Sequence, residues 1–91
     1  MTMSMDELVA AARVIPVLTV SRTEDAAPLA RALKAGGLRV LEMTWRTDAA
    51  LQVLAEMKAA EPELIVGLGT IRRPAQIAAA VEAGADFLVS P

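Results

Sequence analysis

The sequence predicts an α/β fold in which parallel strands are joined by helical crossovers, and three observations carry that prediction. Apolar, β-branched runs alternate with helix-period stretches along the chain. The runs "VIPVLTV" and "LIVGLG" are apolar at consecutive positions, as in strands covered on both faces. Helical stretches close on glycine or proline, and the next strand follows almost at once. The resulting order of strand, helix, strand, helix, strand, helix, strand requires a parallel sheet with right-handed crossovers.

Each element has its own signal. Ser4 followed by Glu7 has capping-box spacing, and Leu8, Val9 and Ala12 share a helical face, which predicts a short leading helix ending near Arg13. "VIPVLTV" is the first strand; Pro16 lacks a ladder donor and marks a strand end, a bulge or an unpaired edge. Ser21 or Thr23 is the expected cap of the next helix, in which Leu29 and Leu33 share a face and Gly36 and Gly37 form the stop. Pro28 lies deeper than a first-turn proline and predicts a kink or a later helix start. "LRVLEM" is the second strand. The second helix has Thr47 as its expected cap, turns Ala50, Leu54 and Met57 inward, and ends at Pro62. "LIVGLG" is the third strand. Pro74 opens the third helix at its first position, Gly84 closes it, and "DFLVSP" is the fourth strand.

The unit repeats every roughly 22 to 26 residues, compact against about 30 in an eight-fold barrel. An echo between "LKAGGLRVLEM" and "VEAGADFLVSP" (helix end, glycine, apolar strand, polar tip) suits a barrel of similar units. No linker or second domain is expected within residues 1–91. A chain of 91 residues is small, burying about 60 to 65% of its unfolded surface. With 55% hydrophobic but only 2% aromatic residues, the core must be aliphatic and methionine-rich.

Composition also narrows function. A net charge of −2 with intermixed signs gives no basic stripe for nucleic acid and no cationic face for a membrane. Cysteine and histidine are absent, which removes disulfides, thiol nucleophiles and the commonest metal ligand. No metal or cofactor is expected. The start of the sequence reads neither as a signal peptide nor as a membrane span, which is compatible with a cytoplasmic enzyme.

In parallel α/β folds ligands collect beyond the carboxyl ends of the strands. Polar residues fall there after every strand: Thr19 and Ser21, Glu42 to Thr47, Gly69 and Thr70, then Ser90 and Pro91. Glu42 stands out. A carboxylate in an apolar strand is costly to desolvate, so its pKa tends to rise toward the range useful for proton transfer. The plainer alternative is an ion pair with Arg46 or Arg39. Arg46 offers a forked donor for a carboxylate or phosphate, or else is a solvated first-turn side chain. "GLGT" lets a ligand approach the backbone closely, and Thr70 can donate its hydroxyl to an anion, but no nucleotide-binding fingerprint is complete. Trp45 either walls a pocket or packs. Arg72 and Arg73, just before Pro74, either bind phosphate or, as the plainer account, form a solvated basic pair. The two lysines, Lys34 and Lys58, sit in last helical turns, away from strand tips, where cations oppose the helix dipole.

In combination, "VIPVLTV", "ALKAGGLRVLEMTWRT", "IVGLGT" and "AVEAGADFLVSP" resemble the bacterial KDPG/KHG aldolases, in order over essentially all of the chain. The resemblance implies the N-terminal half of a (β/α)8 TIM barrel, trimeric at full length, acting in the Entner–Doudoroff pathway. It implies a class I aldolase that cleaves 2-keto-3-deoxy-6-phosphogluconate to pyruvate and glyceraldehyde 3-phosphate through a lysine Schiff base. On this basis Glu42 matches the general acid/base, Arg46 and Thr70 match the groups holding the pyruvyl carboxylate, and Pro91 matches a proline lining the site. Leu68 and Trp45 depart from the smaller residues usual in the family. The Schiff-base lysine belongs to the family's sixth strand and the phosphate site to strands seven and eight, so the 91-residue chain alone is expected to be inactive. Rival readings are a noncatalytic anion-binding or self-assembling half-barrel, and a relative acting on 2-keto-3-deoxy-6-phosphogalactonate.

Overall fold

Val40 to Met43 and Ile65 to Leu68 form the centre of the sheet. A computed structural model describes residues 15–90. The strands are β1 (Val17–Leu18), β2 (Val40–Thr44), β3 (Ile65–Gly69) and β4 (Phe87–Leu88), and the helices are α1 (Ala26–Ala35), α2 (Ala50–Ala60) and α3 (Pro74–Ala83). All strand pairs are parallel and follow chain order, β1-β2-β3-β4. The predicted alternation therefore holds in full for these residues. The expected leading helix from Ser4 and the site residue Pro91 lie outside the described residues.

Side-chain alternation splits the sheet into two unlike faces. Leu41 and Met43 of β2 and Val66 and Leu68 of β3 join Val53, Leu54 and Met57 of α2 in one fully buried cluster. Each fully buried Leu or Met of this kind contributes about 1.5 to 3 kcal/mol, so the helix-covered face holds most of the hydrophobic stabilisation. The other face carries Ile15, Val40, Ile65 and Phe87 as a smaller, separate cluster. On that face Val17 remains 60% exposed.

Several local expectations are corrected. β1 and β4 are each two residues long, much shorter than the apolar runs that predict them. Pro16 has no N–H to extend the β1 ladder, although its carbonyl accepts from the Glu42 N–H at 2.9 Å, so the strand-end reading holds. Hydrogen bonding continues around β4, with Asp86 N–H donating to Val66 O at 2.8 Å and Val89 N–H to Leu68 O at 3.0 Å. No side chain caps α1 or α2, so Ser21, Thr23 and Thr47 are not caps. A 3-10 turn over Thr23–Asp25 leads into α1, which begins at Ala26. Pro28 thereby falls in the first turn, where its missing N–H costs nothing. Pro74 and Gly84 bound α3 as expected, and Gly84 adopts φ 100°, the left-handed conformation of a helix stop.

The amino ends of the strands are tied by charge. Lys58 Nζ at the end of α2 donates to Leu64 O at 2.6 Å and Asp86 Oδ2 at 2.7 Å, while Val66 N–H donates to the same Asp86 oxygen at 2.8 Å. Lys34 pairs with Glu61 at 3.0 Å and Glu63 at 3.3 Å. Its pKa is raised by the hydrogen bond to Glu61 first and by that to Glu63 second. Both lysines thus serve the end of the sheet opposite to Glu42.

Candidate functional site

Glu42 lies on the face of β2 turned away from the helices, between Val40 and Thr44. Its neighbour in register on β3 is Gly67, and Thr44 faces Gly69. A Cβ placed at Gly69 would overlap the Glu42 carboxylate, and one placed at Gly67 would overlap the Phe87 ring. The two glycines of "GLGT" are therefore explained by close approach of neighbouring side chains, where the sequence had pointed to close approach of a ligand.

No ion pair holds Glu42 among the described residues, which removes the alternative of a bridge to Arg46 or Arg39. Burial alone raises its pKa above the ordinary 4.5. A half-buried carboxyl with no cationic partner holds its proton to higher pH than a solvated one does, and that suits a group that gives and takes protons.

Beyond Glu42 the same strand tip is organised by hydroxyls. Thr44, only 3% exposed, donates to Leu18 O at 3.1 Å, so its contact with Thr19 Oγ1 at 2.6 Å is one in which Thr19 donates. Thr47 donates to Val20 O at 3.0 Å, fastening the loop after β2 to the end of β1. Trp45 N–H donates to Gly69 O at 3.1 Å, which holds the tips of β2 and β3 together. Thr70 follows with φ 65°. This left-handed conformation is strained for a β-branched residue, by about 1 to 3 kcal/mol.

A cleft of about 260 Å³ opens between the loops after β2 and β3, with Trp45, Arg46 and Asp48 on one side and Thr70, Arg72 and Arg73 on the other. The structure thus brings Arg46 and Thr70 to one cleft. The Glu42 carboxylate does not line it, but lies over Gly69, the residue preceding Thr70. A larger hollow of about 550 Å³ lies at the amino ends of β2 and β3, lined in part by Lys34, Arg39, Glu63 and Leu64. Its lysine is engaged by two carboxylates, and parallel sheets offer their converging loops at the other end, so the smaller cleft is the better candidate.

Comparison with known proteins agrees with the fold. The sequence matches the KDPG and KHG aldolase family over residues 5–91. The chain belongs to that family. It is 44% identical over 88 residues to the KHG/KDPG aldolase of Escherichia coli K12, covering 97% of this chain and 41% of that protein. Among solved structures, the 2-keto-3-deoxy-6-phosphogluconate aldolase of Zymomonas mobilis superposes with a TM-score of 0.90 at 44% identity, covering 98% of this chain and 43% of the other. The KDPG aldolase of Legionella pneumophila, solved with pyruvate captured at low pH as a covalent carbinolamine intermediate, superposes at 0.84 with 46% identity over 90% of this chain and 40% of its own. The four parallel strands correspond to part of the TIM barrel of these aldolases, and the chain spans about two fifths of the length of the relatives it matches.

Three site features escaped the sequence. The left-handed Thr70 is invisible because threonine carries no bias toward that conformation. The Thr19 to Thr44 contact joins residues 25 positions apart. The role of Gly69 depends on a side chain from another strand. The last two arise from strand register, which residue type alone does not set.

Proposed function

We propose that these residues supply the acid/base and carboxylate-holding part of a class I aldolase that cleaves 2-keto-3-deoxy-6-phosphogluconate to pyruvate and glyceraldehyde 3-phosphate. The observation that carries this reading is a half-buried, unpaired Glu42 on β2, the strand whose following loop carries Arg46, inside a KDPG/KHG aldolase sequence. Arg46, forked and charged, and the Thr70 hydroxyl would hold the pyruvyl carboxylate across the cleft. Pro91 would line the same site. Glu42 would protonate the hydroxyl that leaves as water when an amine and the keto carbon form the Schiff base. It would then take the proton of the hydroxyl beside the breaking carbon–carbon bond, so that the aldehyde forms as the electrons pass to the iminium.

The amine in this scheme is not Lys34 or Lys58. Lys58 is engaged by Leu64 O and Asp86 and Lys34 by Glu61 and Glu63, all at the amino ends of the strands. We therefore assign the Schiff-base lysine to polypeptide other than these 91 residues, as the family resemblance does for the substrate's own phosphate site, and read the 91-residue chain by itself as an anion-binding unit without turnover. A cytoplasmic trimer acting in the Entner–Doudoroff pathway accords with the family. No helix among the described residues is long and apolar enough to cross a membrane.

A chimera tests the assignment, with this chain replacing the matched two fifths of the Escherichia coli relative. It is expected to cleave the phosphosugar acid, and Glu42→Gln to lower kcat by about 10² to 10⁴-fold. An active chimera whose kcat is unmoved by Glu42→Gln removes Glu42 from the chemistry.

A further inference from the structure

The cleft beyond β2 and β3 holds more positive charge than a carboxylate clamp needs. Arg46, Arg72 and Arg73 meet Asp48 as the one acidic residue of its lining, in a protein whose net charge is −2. None of the three guanidiniums is drawn into an ion pair among the described residues, whereas both lysines are, and so is Arg22 with Glu24. Arg72 and Arg73 are held in place by backbone anchoring: Gln76 Oε1 accepts from the Arg72 N–H at 2.7 Å and the Arg73 N–H at 3.0 Å. That leaves their side chains solvent-exposed at the rim, immediately before α3, whose amino end adds partial positive charge.

We propose that Arg72 and Arg73 form a second anion-binding position in this cleft, on the wall facing Arg46, and that its ligand is a phosphate group, free or as a monoester. A tetrahedral dianion matches two neighbouring guanidinium forks better than a single carboxylate does, because each fork can take two oxygens and two charges are neutralised. Asp48 shares the opposite wall with Arg46 and repels a dianion there more than it repels a singly charged carboxylate, which places the phosphate on the Arg72 and Arg73 side. The site rests on the charge of the cleft and stands whether or not Glu42 and Arg46 act as proposed above.

Inorganic phosphate is the probe, titrated into the 91-residue chain at constant ionic strength while backbone amide resonances are followed, with pyruvate titrated separately. Saturable shifts at residues 70–76 are expected with phosphate. The double variant Arg72→Gln/Arg73→Gln is expected to raise the phosphate Kd at least about tenfold, the loss typical of charged hydrogen bonds, and to change the pyruvate Kd less than about twofold. Both side chains are exposed, and the amide spectrum of the variant reports directly that the fold is retained. Shifts that chloride reproduces at equal ionic strength overturn the site, and so does a phosphate Kd unchanged in the double variant. Phosphate binding without any pyruvate binding upholds this site while removing the carboxylate clamp.

Discussion

Glu42 is the residue on which the proposed chemistry turns, and its environment makes a prediction about pH. Its folded pKa is raised by burial, so between 4.5 and that higher value the native state binds more protons than the unfolded chain. Stability attributable to this group is therefore intact below 4.5 and falls as pH rises through the folded pKa. Glutamine at this position removes the charge and keeps the shape. Thermal denaturation should show Glu42→Gln equal to the parent protein at pH 4 and below, and increasingly more stable than it toward pH 7. A Tm difference that is flat across this range means that the carboxylate is not desolvated. Glu42 was legible in the sequence because a carboxylate between Leu41 and Met43 breaks an apolar strand. The space it occupies was not legible, since Gly69 makes that room from the neighbouring strand.

At the scale of elements, the Asp86 side chain reinforces the short β3–β4 ladder and ties it to α2. β4 contributes two residues of regular strand, while the Asp86 carboxylate accepts from both Lys58 and the Val66 N–H. Asp86→Ala strips an acceptor from a backbone donor and a partner from a half-buried cation, at a cost of about 1 to 3 kcal/mol. Asp86→Asn keeps an oxygen for Val66 and should lose less. Urea denaturation midpoints that rank parent, Asn and Ala in that order support this account, and an unchanged midpoint for Asp86→Ala contradicts it. The helices and strands themselves were readable from apolar runs and from punctuation by Pro74 and Gly84. The caps were not, because Thr47 satisfies Val20 O on another strand rather than its own helix, a tertiary contact that overrides local preference. Lys58 likewise looked like a dipole-compensating cation, and its reach to Asp86 spans 28 residues.

Over the whole molecule, the parallel order of four strands sends every strand tip to one end and both lysines to the other. That separation underlies the proposed function, which puts an acid and an anion clamp at the tips and leaves structural cations at the base. The helix-free face of the sheet holds Val40, Ile65 and Phe87 near its base and Glu42 nearer its tip, so it changes from apolar to reactive along the strand direction. The alternation in the sequence established that parallel order, whereas the division of the sheet into two faces follows from register and had to be seen. Titration of pyruvate into the uniformly labelled chain, followed by resonances of the Thr70 amide and the Arg46 side chain, tests the central claim most directly. The account predicts saturable shifts at both groups, with Arg46→Ala raising the pyruvate Kd by about tenfold or more. Shifts confined to the hollow around Lys34 and Arg39, or none at either end of the sheet, would contradict it.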